Sequence, residues 1–229
     1  MTLLSHDDLD AVVLSLKVAG TATAVGLPIA LAVAYVLARA RFAGRAVLDA
    51  LTHLPLVLPP VATGFALLLL FGHRGPLGQA LERLGVSIAF RWTGAALAAG
   101  IMAFPLMVRP IRLSIEAIDR EVDEAARTLG AGAFVRFFRI TTPLAAPGLA
   151  AGAVLGFARA LGEFGATITF VGAIPGETLT LPTAIYQATQ IPGAENRALV
   201  LCAIAAAISI TAILVSDAVG RRVARRHEP

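Results

Sequence analysis

Two groups of residues in this sequence carry side chains that can do more than pack. The first is Glu124-Ala125-Ala126-Arg127-Thr128-Leu129-Gly130, followed by Phe134, Phe137, Phe138, Ile140 and Pro143. Its chemistry is recognition. Small alanines let another surface approach closely, and the Glu124 carboxylate can accept hydrogen bonds from it. The second group lies in an apolar run. Arg159 and Glu163 stand four residues apart, and so on one helix face, with Gly162, Gly165, Thr167 and Thr169 around them. Charges at membrane depth are costly and face protein or water. The pair either locks two helices together or lines a gate, where the threonine hydroxyls can donate to a passing anion. Lys17 is read as a further buried charge, which either snorkels outward or lends positive potential to an entrance. Pro55, Pro59 and Pro60 each remove a backbone donor within a few residues. Such a break is a simple kink, or a gate where protein or a water cavity satisfies the freed carbonyls.

Other chemistries find no support. A phosphate-binding P-loop needs a lysine followed by serine or threonine after a glycine-rich run. The sole lysine, Lys17, is followed by Val18. His6, His53, His73 and His227 are scattered without metal-ligand spacing. No nucleophile and base share a recognisable motif. Cys202 is the only cysteine, so no internal disulfide can form. The sequence pI of about 10.2 would suit nucleic acid, but the arginines flank apolar runs, as membrane anchors do.

The elements that position these residues are apolar. The chain is 57% hydrophobic and 15% charged, with a mean hydropathy of +0.79. These values describe an integral membrane protein, and several runs reach the ~20 residues that cross a bilayer core. Five spans are expected, at about 9–38, 48–71, 93–108, 146–171 and 198–219, in one domain covering 1–229. Apolar residues after the third continue past Pro110 to Ile118. Residues 1–10 carry no basic residue, so the first span is expected to stay as an anchor rather than be removed as a signal peptide. Thirteen arginines fall in the loops after spans one, three and five, against four in the others. The positive-inside rule then puts the amino terminus outside and the carboxyl terminus in the cytoplasm. Short helices are expected near 77–84 and 182–191, the latter at or dipping into the membrane.

The loop at about 118–144 falls on the arginine-rich side. Ile118, Val122, Ala125, Ala126 and Leu129 recur at helical spacing, with Asp119, Arg120, Asp123 and Arg127 on the other face. Asp119 is the expected N-cap, and Gly130 and Gly132 the stop. Phe134, Phe137 and Phe138 form a second stripe. From periodicity alone the segment is either an interfacial helix pair on lipid headgroups or a docking element for a soluble subunit.

The spacing resembles the EAA loop of ABC-importer permeases: Glu-Ala-Ala, three residues, Gly, nine residues, Ile, any residue, Leu-Pro. Glu124, Ala125, Ala126, Gly130, Ile140 and Pro143 match, and Thr142 stands where the pattern has leucine. Leu54-Pro55-Leu56-Val57-Leu58-Pro59-Pro60, and the stretch from Arg159 to Thr167, resemble the molybdate permeases of bacterial ABC importers. Sulfate and tungstate relatives share the second stretch. The resemblance runs from about 11 to 217. It implies an all-α integral membrane protein of type I importer architecture in the bacterial inner membrane, forming the translocation path for molybdate. Glu124, Ala125, Ala126, Leu129, Gly130, Ile140 and Pro143 would couple it to the ATPase. Lys17, Pro59, Pro60, Arg159, Glu163, Thr167 and Thr169 are the path or gate candidates. The implied partners are a second copy, a cytoplasmic ABC ATPase dimer, an external molybdate-binding protein and membrane lipid. ATP and magnesium would be used by the ATPase, with no cofactor, metal or nucleic acid on this chain. The alternatives are a sulfate or tungstate importer permease, an ion-coupled secondary transporter, or a membrane assembly protein that does not transport.

Overall fold

The computed structural model describes residues 5–225, the side chains fully only to about residue 212. Arg226 and His227 of the reading above lie outside the described residues. All the regular structure in the described residues is helical: α1 (His6–Arg39), α2 (Arg45–Val57), α3 (Pro60–Phe71), α4 (Pro76–Glu82), α5 (Trp92–Glu116), α6 (Arg120–Thr128), α7 (Ala133–Arg136), a π-helical turn (Phe137–Thr141), α8 (Thr142–Leu144), α9 (Ala146–Leu161), α10 (Gly165–Val171), α11 (Leu181–Thr189) and α12 (Glu195–Arg225).

Small residues set the core. Ala19, Ala22, Ala30 and Ala34 of α1 are buried, as are Ala95, Ala98, Ala99 and Ala103 of α5. Alanines let two long helices approach closely where lipid removes the hydrophobic drive between them. Against α5 lies α9, through Gly148, Gly152 and Gly156, spaced one helical turn apart. A Cβ on Gly148 would stand 2.6 Å from the Pro110 carbonyl oxygen, one on Gly152 2.8 Å from that of Met107, and one on Gly156 2.6 Å from Met107 Cγ. At Gly148 and Gly152 the backbones therefore touch, and a side chain would force them apart, while at Gly156 the Met107 side chain fills the space.

Polar contacts hold the two ends of the bundle. At one end Arg39 Nη2 donates to the carbonyls of Ile115 (3.2 Å), in the last turn of α5, and Ile118 (3.0 Å), just beyond it. Arg112 bridges Asp49 of α2 (2.9 Å) and Glu116 (2.8 Å). At the other end Arg197 of α12 grips the fully buried Asp8 of α1, with contacts of 3.1, 3.0 and 2.6 Å. Nearby, the Leu181 N–H donates to Ser15 Oγ (2.6 Å), fixing α11 to α1.

Among the described residues, three helices are long and apolar enough to cross a membrane: His6–Arg39, Trp92–Glu116 and Glu195–Ala212. The number reaches five if each of two bent pairs is one span. The run expected to cross at 48–71 is therefore not one helix. It breaks at Leu58 and Pro59, and the axis turns by 114° between α2 and α3. Pro59 and Pro60 offer no N–H to the turn before them, and Pro60 disfavours helical backbone at Pro59. The run expected at 146–171 also breaks, after Leu161, where Gly162, Glu163 and Phe164 leave the helix. Its first part is α9, 16 residues or about 24 Å long, which meets the Ala133–Leu144 segment at a 70° bend. The run expected at 93–108 extends as α5 to Glu116 through Pro105 and Pro110.

Candidate functional site

The segment between α5 and α9 is built by local rules. Asp119 Oδ1 accepts from the Glu121 N–H (3.1 Å), capping α6, and Glu121 and Asp123 add negative charge where the helix dipole favours it. The helix ends in a six-to-one and five-to-two turn. The Ala131 N–H donates to the Ala126 carbonyl and the Gly130 N–H to that of Arg127, both at 3.0 Å. Gly130 sits at φ +84°, a left-handed value that a side chain would strain. Arg136 of α7 then folds back on α6, donating to Asp123 (3.0 Å) and to the Ala131 carbonyl (2.8 Å). Phe137 packs edge-on against Tyr35 of α1, tying the segment to the bundle. The π-helical turn ends at Thr141, and the Thr142 hydroxyl donates to the Phe137 carbonyl (2.8 Å).

The apolar side of α6 does not serve this chain's own core. Ala126 is buried, but Glu124, Ala125, Val122 and Leu129 are exposed, Leu129 to 88%. Phe134 stands next to them at 76% exposure, stacked on Phe138. Ile140 is half-buried and Pro143 exposed. The capped helix thus presents Glu124 among small and apolar residues outward, and nothing among the described residues covers it.

The second cluster lies where the two broken runs meet. Pro60 opens α3 and Gly165 opens α10, and a Cβ on Gly165 would stand 2.7 Å from Pro60 Cβ. One turn on, a Cβ on Gly64 would stand 2.5 Å from the Ala166 carbonyl oxygen. Glu163 occupies the gap between α9 and α10. Its Oε1 accepts from the Ala166 N–H (2.8 Å), and its Oε2 pairs with Arg159 Nη1 (2.6 Å). Glu163 is 2% exposed at the side chain and Arg159 27%. The pair read from sequence as two residues on one continuous helix is therefore a link across a helix end. The carboxylate satisfies an N–H that the break would otherwise orphan.

Thr167 is buried beside this junction, and the Thr169 hydroxyl already donates to the Gly165 carbonyl (2.8 Å). The Thr63 hydroxyl on α3 is buried with no partner among the described residues. Lys17 is not buried, as the apolar run around it suggested. It is exposed, with Nζ 3.7 Å over the Trp92 ring. An aromatic face and solvent together hold the cation without an acid. Sequence reasoning missed Gly64 and Thr63. The signal was there, in a glycine and a hydroxyl one turn beyond the paired prolines.

Comparison with known proteins agrees with this architecture. The profile of the family described as "Binding-protein-dependent transport system inner membrane component" matches residues 26–228. The molybdenum transport system permease protein ModB of Escherichia coli K12 is 50% identical over 220 residues, covering 96% of each chain. The ModB of Haemophilus influenzae is 48% identical with the same coverage. A sulfate transport permease, CysW of Synechococcus elongatus, is 40% identical over 69% of this chain and 55% of its own. Among solved structures, a bacterial ABC transporter involved in import of the acidic polysaccharide alginate superposes with a TM-score of 0.76 at 19% identity, over 96% of this chain and 80% of that one. An amino acid ABC transporter gives 0.66 over 94% of each chain, also at 19% identity. Those two establish the fold. The matches in sequence establish the family: this chain is an inner membrane component of the binding-protein-dependent transport systems.

Proposed function

We propose that this chain, as one permease domain spanning 1–229, forms the translocation path of an ATP-driven molybdate importer. The ModB proteins of Escherichia coli K12 and Haemophilus influenzae, similar over nearly their full length at about half identity, are named molybdenum transport system permease proteins. The structural observation that carries the reading is the uncovered face of α6. A helix held by an N-cap, a left-handed glycine turn and the Arg136–Asp123 contact has the rigidity to pass motion from a partner to the bundle. The partner is a cytoplasmic ABC ATPase dimer, which binds and hydrolyses ATP with magnesium, while this chain does neither. Glu124, Ala125, Ala126, Leu129 and Gly130 make the contact, with Ile140 and Pro143 holding the return to α9.

Two copies of the chain enclose the path. Arg159 supports this arrangement. Its guanidinium is part-exposed on a helix of the apolar bundle, a placement that calls for protein or water rather than lipid beside it. Broken helices at membrane depth are tolerated where they line a cavity, and the Pro59–Pro60 and Gly162–Phe164 breaks lie together. Pro59, Pro60, Arg159, Glu163, Thr167 and Thr169 are thus candidates for the path or its gate. Lys17, over Trp92, belongs to its outer approach. An external molybdate-binding protein delivers the dianion at the end that holds Asp8 and Arg197. The Glu124 helices face the cytoplasm, and their approach on ATPase closure opens the outer gate.

The test is uptake of labelled molybdate into vesicles containing the permease and ATPase, with binding protein present and sulfate or tungstate as competitors. Molybdate uptake that tenfold sulfate leaves intact supports the reading. Equal competition by sulfate would make the chain a general oxyanion permease.

A further inference from the structure

We propose that a basic cavity at the coupling end holds the phosphate of an anionic lipid headgroup; this rests on the membrane reading above. The cavity, about 250 Å³, is lined by Ala38 and Arg39 at the end of α1, Ala40 and Arg41 in the loop that follows, Arg45 at the start of α2, and Glu116 and Arg120 around the end of α5. Four arginines thus meet one carboxylate, and that carboxylate already pairs with Arg112. Arg39 is spoken for by the Ile115 and Ile118 carbonyls. Arg41, Arg45 and Arg120 make no ion pair among the described residues.

The position selects the ligand. The cavity lies where α1 ends and α2 begins, and Val36 of α1, Phe42 of the loop between them and Val47 of α2 are exposed beside it. A phosphodiester there has arginines for its oxygens, and its acyl chains can lie along those residues. Guanidinium groups match phosphate oxygens in geometry as well as charge. The volume falls below the roughly 300 Å³ at which drug-sized sites begin, so it suits a headgroup better than a nucleotide. A scattered positive-inside signal needs arginines near the membrane, but it does not need them around one concavity.

The position also gives the site a consequence. Arg120 is the first residue of α6, and Arg39 holds the Ile118 carbonyl just before it. A phosphate between Arg41, Arg45 and Arg120 fixes the root of the coupling helix to α1. Loss of the lipid then loosens α6 without touching its outward face.

The experiment is native mass spectrometry of the permease–ATPase complex from nanodiscs of phosphatidylglycerol and phosphatidylcholine in equal parts, for wild type and for Arg41→Gln, Arg45→Gln and the double variant. Wild type should retain phosphatidylglycerol preferentially. The double variant should lose roughly 30-fold in that preference, at a factor of about five for each arginine near an anionic surface. Arg74→Gln, on the exposed loop at the opposite end, should change nothing. Soluble glycerol phosphate, added as a second arm, should fail to displace the lipid; displacement at equal concentration would assign the site to a free phosphate instead. Undiminished phosphatidylglycerol retention in both single variants and the double variant overturns the proposal. Retention is read apart from uptake, so a chain that carries another anion would still give the result.

Discussion

Pro60 and Gly165 touch, and through them the two helix breaks of this bundle become one junction. The position of a Cβ on Gly165 lies 2.7 Å from Pro60 Cβ. The prolines open the chain before α3, and Glu163 caps the opening before α10. Two irregular backbone stretches that would each be costly in lipid thus shield one another.

Local packing sets the sign of two glycine substitutions, one at this junction and one in α1. Gly64→Ala places a methyl group against the Ala166 carbonyl oxygen at 2.5 Å, and backbone cannot swing away. Overpacking of this kind costs about 1–3 kcal/mol. Gly20→Ala, inside α1 with no heavy atom within 4 Å of the new methyl, should instead stabilise by roughly 0.5–1 kcal/mol through helix propensity. Thermal unfolding of the two variants in detergent should shift in opposite directions.

Arg159 and Glu163 should prove coupled, and unequally. Glu163→Gln keeps an oxygen for the Ala166 N–H and loses only the charge. Glu163→Leu loses both and leaves an arginine without its partner, at about 3–5 kcal/mol. The expected order of stability is wild type, Glu163→Gln, Glu163→Leu. Combining Glu163→Leu with Arg159→Met should recover part of the loss. Strictly additive losses in that double-mutant cycle would mean the pair is not a unit.

Gly130 should accept asparagine far better than valine. The left-handed backbone at φ +84° suits glycine, is open to asparagine and costs an ordinary side chain roughly 1–2 kcal/mol, more for a β-branched one. No heavy atom crowds the site, so the loss is conformational and not steric. Capture of the ATPase on immobilised permease should weaken in Gly130→Val and stay near wild type in Gly130→Asn.

At the far end, Asp8→Ala should cost about 3–5 kcal/mol of thermal stability, because Arg197 loses its buried partner and Ser5 its cap contact. The exposed acid one residue earlier gives the contrast. Asp7→Ala, exposed in the first turn of α1, should cost only about 0.3–1 kcal/mol, the loss of one acid near the helix N-terminus.

The coupling segment was open to sequence reasoning because its structure is local. Asp119 and Gly130 act within a few residues of α6, and they cap and end it as their chemistry suggests. The spans were harder. An apolar count over 48–71 registers length, but not that Pro59 and Pro60 turn the axis by 114°. The same count over 146–171 passes through Glu163 without revealing that it caps a new helix. Lys17 was read as buried because its neighbours are apolar, whereas burial depends on which face the helix turns inward. The Asp8–Arg197 grip joins residues 189 apart, and no local pattern encodes it.

The most direct test of the account is ATP-dependent molybdate uptake by reconstituted permease, ATPase and binding protein, comparing wild type with Leu129→Asp and Glu124→Arg. Both side chains are exposed, so the variants should insert and unfold like wild type. The account predicts that they lose ATPase capture and uptake together, by at least roughly tenfold, as expected for losing a charge-assisted contact of about 1.5–3 kcal/mol at Glu124 and the burial of a leucine side chain, about 1.5–3 kcal/mol, at Leu129. Uptake at the wild-type rate in both variants, with the ATPase still bound, would contradict it and leave α6 as a helix that rests on the membrane surface.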